Sequence, residues 1–191
     1  LRLYPVIFDL FSQKDFHQVN MREISRLSGL STATLYRYFP SKENLFFSIL
    51  DEKISELVGI IKIHIQGLES TREMFRKVFW VTMDFYDKNP GVAVAAFITV
   101  PTRTWMQEKS YVRKDAYEII DEIVTYGLSC GEIDPEISFK QIVNLYFMYC
   151  YRQIHLWYYF DKKQTLVESI PQFFNVFWKT VATRAGELKN E

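Results

Sequence analysis

Apolar residues in this chain recur every three or four positions, the spacing that lines one face of an α-helix. No stretch alternates with the two-residue period of a strand bounded by hairpin turns. Val6, Ile7, Leu10 and Phe11 define a first helix over 3–13, where Pro5 is tolerable only in the first turn. A second helix starts after Asn20, whose side chain can cap it, with Glu23 placed to close a capping box. It ends at Ser28-Gly29, where glycine supplies the left-handed corner. Ser31 caps a third short helix that Pro40 terminates. Ser41 caps a fourth, running to about Gly67 with Leu45, Ile49, Ile54, Leu57, Ile61 and Ile65 as its stripe.

Behind a hinge at Gly67–Ser70, the pattern predicts helices over about 71–88, 91–100 and 103–129. The turn Gly131-Glu132-Ile133-Asp134-Pro135 follows, then helices over about 137–161 and 165–185. Pro171 either kinks the last helix or marks its true first turn, and Lys162-Lys163 favour the dipole at the end of the one before. The expectation is an all-α protein of about nine helices, with a boundary between residues 1–48 and 49–191.

Composition adds two things. Of the aromatic residues, nine fall in 1–70 and twenty-three in 71–191, so the back of the chain is the place for an apolar cavity or interface. Net charge is zero, but residues 1–50 carry six basic groups against four acids, which is compatible with a front that faces DNA. Cys130 and Cys150 are too few for a disulfide scaffold or structural zinc site, which fits a reducing cytoplasm. Charged or amide residues interrupt each apolar run before it reaches membrane-span length, so no membrane partner is expected. The chain starts at Leu1 rather than Met, so targeting content cannot be read from it. His17, His64 and His155 are scattered, with no HExxH, metal-ligand spacing or Gly-rich phosphate loop, which argues against an enzyme, and no cofactor is expected.

Residues 20–39 have the layout of a helix-turn-helix, with Ile24 and Leu27 expected to pack on Leu30 and Leu35. On the second helix Thr32, Ala33 and Arg37 would point outward. Arg37 suits a guanine edge, and a Thr methyl or Ala suits thymine. Thr34, Tyr36 and Tyr38 carry hydroxyls suited to phosphate oxygens, and Lys42 adds charge just past the Ser41 cap.

The run Ile24 to Phe47, ISRLSGLSTATLYRYFPSKENLFF, closely resembles the signature of the TetR (tetracycline-repressor-like) family of bacterial transcription regulators. That signature has Ala/Ser-Gly at a helix end, then Ser, a small residue and Thr-Leu-Tyr. Tyr or His and Phe follow, and then Ser-Lys-Glu-x-Leu. Leu10-Phe11 and Phe16 also fall where the family has a Leu-Phe pair and a following aromatic. The resemblance is strong over residues 3–50, and beyond them only the helical layout agrees. Two departures stand out: Pro5 in the first helix, and Asp15 where the family usually has Gly, so that turn could be strained.

The resemblance implies that Arg22, Thr32, Ala33 and Arg37 face the groove and that Thr34, Tyr36, Tyr38 and Lys42 contact phosphate, with Ser31 opening the recognition helix. It also implies an effector cavity in the back half and a homodimer on palindromic double-stranded operator DNA, joined by the last two helices. Apolar faces suited to that pairing comprise Phe139, Ile142, Val143, Tyr146, Phe147 and Cys150, and Phe173, Phe174, Phe177, Trp178 and Val181. Candidates to line the cavity are Phe79, Trp80, Met83, Tyr86, Phe97, Trp105, Tyr117, Tyr126, Tyr149, Arg152, His155 and Trp157, a set suited to a lipophilic small-molecule effector. Arg152 and His155 sit in an otherwise apolar helix, where they could bind an acidic headgroup, pair across a dimer, or face solvent. The fourth helix would carry ligand-driven changes in recognition-helix spacing and so release the operator. The rival from another class is a helical lipid-binding or interaction module whose DNA binding is vestigial.

Overall fold

Ten α-helices follow one another along the described residues, 3–108 and 114–184 of the computed structural model, with no strand among them. They are α1 (Leu3–Gln13), α2 (Met21–Ser28), α3 (Thr32–Tyr38), α4 (Lys42–Ile65), α5 (Thr71–Lys88), α6 (Pro90–Val94), α7 (Thr102–Gln107), α8 (Lys114–Ser129), α9 (Phe139–Tyr159) and α10 (Ile170–Val181). The chain divides into two compact units, Leu1–Ser55 with Asn89–Val112, and Glu56–Lys88 with Arg113–Glu191.

In the first unit, Pro5 does fall in the first turn of α1, where a missing N–H costs nothing. Phe11 lies 5.2 Å from Phe16 and 5.1 Å from Phe46, ring centre to ring centre, and all three are fully buried. Each such burial contributes roughly 1.5–3 kcal/mol. The helix expected at 91–100 is a short α6 that widens into a π-turn over Ala95–Thr99. A side chain at Gly91 would press on Phe8, with a Cβ only 3.3 Å from the Phe8 Cβ, so any larger residue there would push α6 and α1 apart by a few tenths of an ångström. The Thr99 hydroxyl donates to the Phe11 carbonyl at the end of α1.

The single helix expected over 103–129 does not form. Glu108 leaves the helical region at φ −85°, ψ 79° and ends α7 at Gln107. Residues 109–113, and residue 185 of the expected last helix, lie outside the described residues.

The second unit is organised around Phe79, whose ring centre is 4.9 Å from Phe177, 5.3 Å from both Tyr146 and Tyr149, and 5.6 Å from Phe173. Helix α9 begins with a complete capping box between Ser138 and Gln141. Helix α10 begins later than 165: Leu166–Ser169 forms a 3₁₀ turn, and Pro171 sits in the first α-helical turn. Asp87 holds that 3₁₀ turn by accepting from the backbone N–H of Leu166 at 2.8 Å and of Val167 at 3.2 Å. The buried Glu132 carboxylate accepts from the Thr71 N–H at 2.9 Å and so caps α5.

Candidate nucleic-acid interface and regulatory region

The helix-turn-helix is built by its caps. The Asn20 side chain accepts from the Glu23 N–H at 3.0 Å and starts α2. Gly29, at φ +73°, ends it with its N–H on the Ser25 carbonyl. The Ser31 hydroxyl accepts from the Thr34 N–H at 3.0 Å, and the two hydroxyls lie 2.8 Å apart. The Ser41 hydroxyl accepts from the Asn44 N–H and starts α4. These four short-range devices fix where α2, α3 and α4 begin and turn.

Two details differ from the sequence reading. The Glu23 carboxylate does not close a capping box. It takes the Lys14 ammonium at 2.6 Å and ties α2 to the end of α1. Ile24 and Leu35 are buried, and α2 and α3 are in contact, whereas Leu27 and Leu30 stay 44% and 38% exposed. Their neighbours at the turn, Gly29 and Ser31, are exposed as well, so the corner has no apolar cover to offer them.

Burial of Leu35 decides which way α3 faces. At 100° per residue, Ala33 and Arg37 lie on the side away from Leu35, with Tyr36 next to Ala33 and Thr32 on the flank nearer Leu35. Ala33, Tyr36, Arg37 and Tyr38 are exposed and Thr32 and Thr34 are half-buried, which leaves a polar, small-residue face one helix long. The Arg37 guanidinium rests 5.0 Å from the centre of the Tyr38 ring, with an N–H 3.4 Å from its hydroxyl. Arg22 is exposed on α2.

Lys42, expected at a phosphate, has its ammonium engaged within the chain. Its Nζ donates to the carbonyls of Phe16 at 2.7 Å and Val19 at 3.1 Å and lies 4.7 Å from the Phe16 ring centre. Sequence reasoning missed this because a lysine's reach hides which way its ammonium turns. The turn it holds is not strained at Asp15: the non-glycine residues with positive φ among those described are Asp161 and Lys162.

The regulatory candidates fall into three groups. Phe79, Met83, Tyr86 and Tyr149 are buried in the second unit. Burial also raises the Tyr149 phenol to about 12, although its hydroxyl bonds Ser169 Oγ at 2.6 Å. Phe97 and Trp105 belong to the first unit, where Trp105 packs edge-on against Phe47 at 4.8 Å. Trp80, Tyr117, Tyr126 and Arg152 are exposed. The Tyr126 hydroxyl donates to the Glu69 carbonyl at 2.8 Å, while the His155 ring stacks 4.0 Å from Tyr151. A cleft of about 620 Å³ opens between the end of α9 and the start of α10, floored by Leu156, Trp157, Phe160 and Leu166. Among the described residues bordering it, Trp157 is the one member of the expected lining set.

The expected dimer faces need a larger correction. Phe174, Phe177, Trp178 and Val181 are buried within the protomer; Phe177 sits 5.2 Å from Phe75 as well as against Phe79. Their stripe is core, so it cannot also cover a partner. Ile142, Val143 and Cys150 are likewise buried, and burial pushes the Cys150 thiol up to about 12. Phe173 is half-buried and stacked on Tyr149 at 4.0 Å, and Phe139 is half-buried near Tyr117. Tyr146 turns its hydroxyl inward to Thr82 Oγ1 at 2.7 Å, in surroundings whose burial holds the phenol well above its ordinary range. Of the eleven residues on the expected dimer faces, Phe147 is the one that is exposed. The apolar groups α9 and α10 do present outward also include Met148, Tyr151, Tyr158, Tyr159 and Val176.

With this geometry in hand, similarity to known proteins is specific. Residues 6–49 match the profile of "Bacterial regulatory proteins, tetR family", and residues 50–180 match that of the "YsiA-like protein, C-terminal region". The fatty acid metabolism regulator protein of Bacillus subtilis is 20% identical over 169 residues, 87% of either chain. The nucleoid occlusion factor SlmA of Haemophilus influenzae is 29% identical over 90 residues, 47% of this chain and 41% of that one. The same fold occurs in the fatty acid degradation regulator FadR of Bacillus halodurans, with TM-score 0.83, 17% identity and 93% of each chain covered. It occurs again in FadR of Bacillus subtilis, solved in complex with stearoyl-CoA, with TM-score 0.83, 18% identity, 92% of this chain and 96% of that one. Two family profiles that meet at residues 49 and 50, over an all-helical fold with a capped and outward-facing α3, identify the chain as a ligand-responsive transcriptional regulator that belongs to the TetR family of bacterial regulatory proteins.

Proposed function

We propose that this regulator is a repressor that binds a palindromic operator as a homodimer and leaves it when a lipophilic effector binds the C-terminal region. The observation that supports it most is α3, whose exposed face carries Ala33, Tyr36 and Arg37 turned away from the buried Leu35, with the half-buried Thr32 on its flank. Small groups at the start of such a helix permit close approach to base edges, and Arg37 supplies the bidentate donor that guanine accepts. Arg22 then faces the groove from α2, while Ser31, Thr34, Tyr36 and Tyr38 serve phosphate and sugar contacts. In this reading residues 1–48 bind DNA and residues 49–191 bind effector and partner, with the protein acting in the cytoplasm.

One helix of seven residues reads only a few base pairs, so a second copy is needed to reach the next major groove, about 34–36 Å away. The copies join through the exposed apolar side of α9 and α10, with Met148, Tyr151, Tyr159 and Val176 at its centre. For the effector we assign the fatty-acyl thioester class, on the strength of the 87% shared length with the Bacillus subtilis fatty acid metabolism regulator and of a fold also found in a stearoyl-CoA complex. Effector binding favours a spacing of the two recognition helices that no longer matches the operator, with α4 carrying the change.

The test is fluorescence anisotropy on a labelled duplex from the DNA flanking the protein's own gene. Binding should be retained against excess unrelated duplex and lost on adding micromolar stearoyl-CoA. Binding that ignores the thioester overturns the effector assignment, and no sequence preference at all favours the vestigial module.

A further inference from the structure

We infer that Lys42 is a positioning residue for the recognition helix, acting through the turn between α1 and α2 rather than through a DNA phosphate. The inference rests on the DNA-binding reading above. Lys42 is the first residue of α4, and an ammonium has three N–H donors. Two of them go to the carbonyls of Phe16 and Val19, at 2.7 and 3.1 Å, and the charge lies over the Phe16 ring at 4.7 Å. Both carbonyls belong to the seven-residue connection between α1 and α2, whose internal backbone bond is Gln18 N–H to Asp15 C=O at 2.9 Å. The Phe16 ring ties that connection to Phe46 of α4 at 6.2 Å, and Lys42 is the polar anchor that fixes its backbone to α4.

What the anchor fixes is the start of α2. Val19 precedes Asn20, the residue whose side chain caps α2. A displaced Val19 carbonyl therefore moves the cap, and with it α2, the helix that α3 contacts. The Lys14–Glu23 pair ties the same helix to the end of α1. Two cations thus pin α2 from either side, one at its entry and one at its first turn. Without the Lys42 ammonium, the Phe16 and Val19 carbonyls lose their donor and the entry angle of α2 is free to drift. The α3 face then meets the groove askew, which costs base contacts more than backbone contacts.

Three roles for Lys42 give three different signatures. A phosphate contact contributes about 0.9 to the slope of log K against log salt and affects all sequences alike. A merely stabilising residue lowers the melting temperature and leaves binding by the folded protein unchanged. A positioning residue lowers the preference for operator over arbitrary duplex at constant salt slope. The full-length chain and its Lys42→Met variant are compared on two duplexes of equal length: one enriched by the unaltered chain from a randomised library, the other arbitrary. Measurements span several salt concentrations, at a temperature where circular dichroism shows both proteins folded. The expected result is about a tenfold fall in the affinity ratio with an unchanged slope. A slope reduced by about 0.9 with the ratio intact, or no change in either, overturns the inference.

A second measurement needs no variant. Amine acylation of the unaltered protein, read by mass spectrometry, should leave Lys42 protected relative to the exposed Lys88 before any DNA is added, with no further protection afterwards. Labelling of Lys42 at the Lys88 level, with protection appearing only on the duplex, overturns the inference even if the variant does not fold. Failure of the unaltered chain to discriminate the two duplexes counts against the DNA-binding reading instead, while the footprint still decides where the ammonium points.

Discussion

Helix α3 and helix α10 are each apolar on one side, yet the two sides mean different things. In α3 a single fully buried residue, Leu35, seats a seven-residue helix, Thr32 and Thr34 are half-buried, and the other four residues are exposed. In α10 five residues, Ile170, Phe174, Phe177, Trp178 and Val181, are spent on the protomer's own core. A helix that gives so little of itself to packing is free to present chemistry. One that gives this much is committed, and any partner must be met by what is left over, such as Val176. In the proposed reading, recognition falls to the lightly anchored helix and stability to the heavily anchored one.

The sharpest way to break the comparison is to cut into each helix. Phe177→Ala, in the ring cluster around Phe79, should cost about 3–5 kcal/mol of stability by chemical denaturation. A cost below about 1 kcal/mol would mean that α10 is not core. On the outward side, Tyr159→Glu should keep the helical circular dichroism but raise the dimer Kd roughly thirtyfold, about 2 kcal/mol, by sedimentation. An unchanged Kd would move the interface elsewhere. Arg37→Ala should cost about 1–3 kcal/mol of discrimination at one base position while leaving the melting curve alone, as competition against singly substituted operators would reveal. Ser31→Ala removes the α3 cap and should cost about 1 kcal/mol of stability. The smallest effect concerns the thiols. At pH 8 a maleimide should label the exposed Cys130 in the folded protein and leave Cys150 untouched, since burial raises that thiol to about 12.

How much of this was legible beforehand depends on the distance over which each feature is decided. The caps at Asn20, Ser31 and Ser41 and the left-handed Gly29 are settled within three or four residues, and the local sequence announces them. The family signature sits in the same stretch for the same reason. Features decided by distant partners were not legible. Glu23 pairs with Lys14, nine residues back, instead of with its own helix start, and Lys42 reaches carbonyls 23 and 26 residues away. The apolar stripes of α9 and α10 announced burial but not what buries them, because a hydrophobic face looks the same whether it meets its own core or a second chain. That ambiguity is why Phe174, Phe177, Trp178 and Val181 were expected at an interface and lie instead in the core. The expected cavity set carries the same ambiguity: Phe79 and Met83 are buried, and a side chain that fills the core reads the same in sequence as one that lines a cavity.

Selection of duplexes from a randomised library by the full-length protein, followed by sequencing, tests the central claim most directly. The account predicts enrichment of a two-fold symmetric sequence whose half-sites lie about one helical turn apart, or a multiple of that, with the preference lost in the Arg37→Ala protein at one position of each half-site. Recovery of sequences without symmetry or preference, or of the same symmetric site with equal strength after Arg37→Ala, would contradict the assignment of α3 as the element that reads DNA.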